Sequence, residues 1–116
     1  MSNKPIKSIA FYHREGHKEG LEWCDRLRGK VRSDFSDVKV DSESAETLVV
    51  LGGDGTILEA ARKCRETKSL VVGFNLGTVG FLASVREQED FETALVKLLQ
   101  GEYSFTERSM LKAVVK

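Results

Sequence analysis

Thr47-Leu48-Val49-Val50-Leu51-Gly52-Gly53-Asp54-Gly55-Thr56 is the stretch that decides the fold. Its first five residues are mostly apolar and partly β-branched, which suits a strand buried on both faces. Three glycines then mark a turn. Beyond it Ile57, Leu58, Ala61, Cys64 and Arg65 lie along one side of a helix expected to end near Thr67. Leu70 to Phe74 is expected as the next buried strand, which completes a β–α–β unit.

The same alternation extends in both directions. Ser8 to Tyr12 reads as a first strand, and Leu21, Cys24, Leu27 and Val31 recur at helical spacing, so a helix is expected over roughly His17 to Ser33. Asp37 to Val40 is a short candidate strand, followed by a polar stretch, Asp41 to Glu46. Downstream, Asn75 to Gly80 is a glycine-containing loop. Phe91, Leu95, Leu98 and Leu99 then mark a helix with Gly101 as its stop, and Tyr103 to Glu107 and Met110 to Val115 are closing strands. Strands that alternate with helices imply parallel pairing through right-handed crossovers, hence a doubly wound α/β layer.

The chain has 116 residues, enough for one domain with a single core. Lys+Arg and Asp+Glu are 18 each, for a formal net charge of zero, which argues against a nucleic-acid binder. With 41% hydrophobic and 31% charged residues it is globular rather than disordered. Its apolar runs are far too short to span a membrane, and no signal peptide is expected, so the expected compartment is the cytoplasm. Cys24 and Cys64 fall on predicted helical stripes and read as buried thiols rather than as a disulfide framework or a zinc site.

Six of the ten glycines fall between positions 52 and 80: Gly52, Gly53, Gly55, Gly73, Gly77 and Gly80. They follow the two most hydrophobic strands, whose carboxyl ends are where open parallel sheets bind ligands. A glycine-rich turn into a helix start is suited to phosphate. It is not a Walker A loop, because no Gly-Lys-Ser/Thr ending is present, and it is not the Gly-x-Gly-x-x-Gly fingerprint. Its distinctive feature is Asp54, a carboxylate inside a phosphate-friendly loop. Asp54 can also be read as a helix cap, although a cap does not need glycine on both sides.

Gly52-Gly53-Asp54-Gly55-Thr56 resembles the signature of a kinase superfamily that contains NAD kinases, diacylglycerol and sphingosine kinases and, more distantly, phosphofructokinases. Gly73-Phe74-Asn75-Leu76-Gly77-Thr78-Val79-Gly80-Phe81-Leu82 is similar to the NAD kinase pattern of Asn-x-Gly, two residues, then Gly-Phe-Leu. The stretch Phe91 to Leu111 resembles the same family further on. The resemblance implies a Rossmann-like domain of NAD kinase type over residues 1–109, with 110–116 starting a strand of a second, mainly β domain that this chain lacks. It implies transfer of the γ-phosphoryl group of ATP, or of polyphosphate, to the 2′-hydroxyl of the adenosine ribose of NAD, giving NADP, with Mg²⁺ or another divalent metal.

The same resemblance assigns roles residue by residue. Asp54 matches the proton acceptor for the ribose hydroxyl. Gly52, Gly53 and Thr56 match positions lining the donor phosphates, and Gly55 a neighbour in the dinucleotide-contacting loop. Asn75 and Gly77 match loop positions that shape the pocket, and Phe81 an aromatic against the bound NAD. No metal-ligating residue is assigned. The family also implies a homo-oligomeric full-length protein, with no nucleic-acid or membrane partner. Two positions depart from the pattern: Val79 stands where leucine is common, and Glu59 where some members have a basic or small residue, which puts a dinucleotide contact there in doubt. A lipid or sugar kinase of the same superfamily and a non-catalytic nucleotide-binding module are the alternatives.

Other residues admit plainer readings. His13 and His17 are bases in principle and exposed loop histidines by default. Trp23 marks either a partner surface or core packing. Without the resemblance, Phe81 after a strand reads as a core aromatic. His13 to Glu19 reads as a solvated loop, and the acids of Arg86 to Asp90 suit a helix start.

Overall fold

The computed structural model describes residues 5–42, 45–64, 69–76, 83–106 and 112–115. Four strands form one parallel sheet: β1 (Ser8–His13), β2 (Lys39–Val40), β3 (Thr47–Gly52) and β4 (Leu70–Asn75), in the order β2-β1-β3-β4. Helix α1 (Lys18–Asp34) connects β1 to β2, and α2 (Asp54–Lys63) connects β3 to β4. A 3₁₀ turn (Gln88–Asp90) leads into α3 (Phe91–Leu99). A separate antiparallel pair, β5 (Tyr103–Thr106) and β6 (Lys112–Val115), follows. The sheet order and the helices between its strands make the expected doubly wound α/β layer.

Strand alternation divides the core between the two faces of the sheet. Ile9, Phe11, Val49, Leu51, Val72 and Phe74 face α1 and α3, which contribute Cys24, Leu27, Val31, Phe91, Leu95 and Leu98. Val50 and Val71 face α2, which contributes Ile57 and Ala60. The aromatic residues of the larger core touch in series. Trp23 stands edge-on to Phe91 at 4.8 Å between centroids, and Phe91 lies 4.9 Å from Phe74. Trp23 is half-buried, so packing accounts for it.

Several local expectations change. The buried stripe of α1 runs through Gly20, Cys24, Leu27 and Val31, which leaves Leu21 at its margin and 45% exposed. The stripe of α2 runs through Thr56, Ile57 and Ala60, with Leu58 and Ala61 only partly buried. Apolar residues flank the true stripe in both helices, and side-chain type alone does not separate its centre from its margin. Cys24 is fully buried, but Cys64 is only partly so, because it caps the carboxyl end of α2. The second strand shrinks to Lys39–Val40 at the sheet edge, because residues 35–38 form a turn closed by Val38 N–H to the Phe35 carbonyl at 2.9 Å. It ends at Asp41, a left-handed residue (φ 61°) whose carboxylate lies 2.9 Å from Arg28 Nε. The expectation that α2 reaches Thr67 extends into residues 65–68, outside the described residues.

Candidate functional site

The strands β1, β3 and β4 end level with one another. His13 pairs with Leu51, and Gly52 pairs with Asn75. From these ends α1 leaves for one face of the sheet and α2 for the other. The carboxyl ends of β1 and β3 therefore flank a topological switch point, the place where such sheets bind ligands.

Gly53 alone separates β3 from α2. It is the N-cap of the helix, in an extended conformation, and the helix opens with no side-chain cap hydrogen bond. The first bond of the helix runs from Ile57 N–H to the Gly53 carbonyl at 3.0 Å. Asp54 is the first helical residue and is half-buried. The structure thus assigns the cap to Gly53 and places Asp54 one position inside, in the first turn, where the macrodipole favours an anionic side chain. The opposite helix start is closed differently: His17 caps α1, its Nδ1 accepting from Gly20 N–H at 2.9 Å.

The floor beneath the loop is tightly packed. A β-carbon on Gly52 would come within 2.8 Å of the Thr56 side chain, which is itself buried. Gly52 is therefore needed for strand and helix to meet at this angle. The Gly52 carbonyl accepts from Leu76 N–H at 3.1 Å, which draws the chain leaving β4 over the end of β3. Asn75 is buried, its N–H bonded to the Val85 carbonyl at 2.8 Å, so residue 85 runs alongside β4. The structure thus brings together Gly52, Gly53, Asp54, Gly55, Thr56 and Asn75. Gly77 and Phe81 lie outside the described residues.

A polar network beside this loop escaped the sequence. Tyr12, near the end of β1, donates from its hydroxyl to Glu59 on α2. Lys63 donates to the same hydroxyl at 3.2 Å and lies 3.6 Å from the Glu59 carboxylate. Arg14 approaches the other Glu59 oxygen at 3.9 Å. The Tyr12 hydrogen bond, followed by the charges of Lys63 and Arg14, holds the Glu59 carboxyl below the usual carboxylate range. The hydrogen bond with Tyr12 and the Glu59 charge raise Lys63. Glu59 and Lys63 at i, i+4 are a readable helix pair, but no spacing rule ties them to Tyr12, 47 residues before Glu59.

His13 closes β1 and is half-buried rather than in a loop, its Nδ1 2.9 Å from the Arg14 carbonyl. His17 is exposed and serves as the α1 cap. Among the described residues no group of three or more His, Cys, Asp or Glu side chains is arranged to hold a metal, and no helix is long and apolar enough to cross a membrane.

A family model described as the ATP-NAD kinase N-terminal domain matches residues 6–103. The chain belongs to the NAD kinase family. Among relatives named NAD kinase, the protein of Clostridium kluyveri is 44% identical over 72 residues, 62% of this chain and 25% of that protein. That of Natranaerobius thermophilus is 46% identical over 76 residues, 66% of this chain and 26% of that protein. That of Acetivibrio thermocellus is 36% identical over 94 residues, 79% of this chain and 32% of that protein. The chain thus spans about a quarter to a third of the length of these relatives. Among solved structures, yeast NADH kinase complexed with NADH superposes with a TM-score of 0.73 at 17% identity, over 90% of this chain and 39% of that one. At that identity the likeness shows a shared fold.

Proposed function

We propose that this chain supplies the loop and the proton acceptor of an NAD kinase, which transfers the γ-phosphoryl group of ATP, or of polyphosphate, to the 2′-hydroxyl of the adenosine ribose of NAD and so makes NADP. The observation that carries this is the junction of β3 and α2. A helix there opens on glycine, without a side-chain cap, at the switch point of a parallel sheet, and its first residue is a carboxylate. Family membership supports the substrate pair.

Phosphoryl transfer needs a bound polyanion, in-line positioning and a group to receive the hydroxyl proton. The amides opening α2 and the helix dipole favour the anionic chain of the donor. Gly53 and Gly55 carry no side chains, so phosphate can approach this backbone closely. Asp54 orients the acceptor hydroxyl and takes its proton. A reference aspartate pKa of ~3.9 makes it a weak base, so the proton moves late, after the oxygen has begun to bond to phosphorus. Mg²⁺ or another divalent cation enters as part of the nucleotide substrate and offsets phosphate charge.

The test is NADP formation from NAD and Mg-ATP by the natural polypeptide that contains these 116 residues. Turnover of NAD supports the proposal. Phosphorylation of a lipid or sugar with no turnover of NAD would overturn it.

A further inference from the structure

We infer that Tyr12 and Glu59 are positioning residues for Asp54: their hydrogen bond fixes the roll of α2 about its axis, and with it the place of the Asp54 carboxylate. The inference rests on the function proposed above and adds to it two residues that no glycine motif contains.

The way α2 is held leads to this conclusion. Its buried residues, Thr56, Ile57 and Ala60, lie against β3 and β4, where Ile57 and Ala60 meet Val50 and Val71. Apolar contact is non-directional, and the close approaches of Thr56 to Gly52 and of Ile57 to Gly73 seat the inner face of α2 on the sheet. The N-cap of α2, Gly53, contributes no side-chain hydrogen bond. A hydrogen bond is directional, and the one from Tyr12 comes from β1, on the far side of the switch point. Lys63 and Arg14 flank the Glu59 carboxylate at 3.6 and 3.9 Å and add to the pull of Tyr12.

The lever is short and sensitive. Side chains reach about 5–6 Å from a helix axis, so a roll of about 10° moves a carboxylate by roughly 1 Å. A misplacement of that size can cost ~10²-fold in rate. By contrast, partly exposed ion pairs contribute little to stability. Glu59 and Lys63 side chains are 44% and 62% exposed. The network therefore matters for geometry far more than for folding free energy.

The experiment compares Tyr12→Phe, Glu59→Gln and Glu59→Ala in the natural polypeptide, with kcat, both KM values and the thermal midpoint measured for each. Tyr12→Phe keeps the ring beneath Lys63, whose ammonium lies 4.9 Å from its centroid, and removes only the hydroxyl. It is expected to lower kcat about tenfold with KM values within about twofold, the signature of an interaction that acts in the transition state. Glu59→Ala should match it. Glu59→Gln, whose amide oxygen still accepts from Tyr12, should recover most of the rate. A Tyr12→Phe kcat within about twofold of wild type, or a glutamine variant no better than alanine, overturns the inference.

A second readout is independent of turnover. In the 116-residue chain, Tyr12→Phe should shift the amide resonances of Gly53, Asp54 and Gly55. Shifts confined to the surroundings of residues 12, 59 and 63 overturn the coupling. If the wild-type polypeptide does not phosphorylate NAD, the proposed function fails, and the amide shifts still decide whether Tyr12 positions the loop.

Discussion

Gly73 of β4 and Ile57 of α2 are packed so closely that a β-carbon on Gly73 would lie 2.5 Å from Ile57 Cδ1 and 3.0 Å from its Cγ1. The Ala83 Cα stands 3.3 Å away on another side. This glycine lets α2 settle onto the sheet directly behind the Asp54 turn. Gly73→Ala is expected to destabilise the chain by about 1–3 kcal/mol, the usual cost of overpacking. Ile57→Val removes the Cδ1 atom and should recover part of that loss in the double variant, giving a non-zero coupling energy between the two sites. Urea denaturation of the four proteins measures it. Strict additivity would mean that the strain goes elsewhere.

Phe91 is fully buried between Trp23 and Phe74. Truncation to alanine leaves a cavity beneath two rings, and a loss of about 3–5 kcal/mol is expected. Trp23 is the only tryptophan, so its fluorescence reports this contact directly. Arg26→Gln disrupts the exposed pair with Glu92, at 3.0 Å, and should cost at most about 1 kcal/mol. A larger loss at Arg26 than at Phe91 would overturn this ranking.

Burial pushes the Cys24 thiol up from its ordinary 9.0 to about 12. The sign follows from proton binding. Between these values the folded state keeps the proton and the unfolded state gives it up. The contribution of the thiol to stability is therefore complete below pH 9.0 and is lost as the pH rises toward about 12. The difference in denaturation midpoint between wild type and Cys24→Ala should hold below pH 9.0 and then move in favour of the alanine variant. A difference independent of pH across this window would show that the thiol titrates alike in both states, so that burial does not raise it. Native-state alkylation gives a second check: the partly buried Cys64 should react first, and Cys24 only on unfolding.

The frame of the fold was legible because its strongest signals are local. Thr47 to Leu51 and Leu70 to Phe74 are apolar runs bounded by glycine or polar residues, and both appear as strands of the parallel sheet. The spacing of Phe91, Leu95, Leu98 and Leu99 marked α3, and all four residues lie within it; the helix ends one residue short of the expected stop at Gly101 once the C-cap Gln100 is counted. Helix faces were less legible, since Leu21 and Leu58 look as core-like as their neighbours and packing alone decides between them. The left-handed Asp41 was not legible, because its conformation is held by a turn and by Arg28, 13 positions earlier. In the candidate site, the Gly52 to Thr56 loop was legible from its glycines and its place after a buried strand, and Asn75 through the family resemblance of the stretch that contains it. Tyr12 and Glu59 were not legible, because the network that joins them exists only once β1 lies beside β3 and α2 packs across it.

Asp54 is the residue whose loss should matter most to turnover. It is the first residue of α2, directly after the N-cap Gly53, so it is not itself the cap. Asp54→Asn keeps the shape of the side chain and removes the proposed base and its charge. Loss of general-base function typically costs ~10²–10⁴ in rate. Stability should change little, because the substitution leaves no cavity, although a charge that suits the helix dipole is lost; that contribution is about 0.3–1 kcal/mol. A residue serving only the dipole would show the reverse pattern, a small drop in thermal midpoint with kcat intact. The measurement is kcat and thermal midpoint for wild type and Asp54→Asn in the natural polypeptide, side by side. A kcat near that of wild type would remove Asp54 from the chemistry and leave the glycine loop as a binding surface alone.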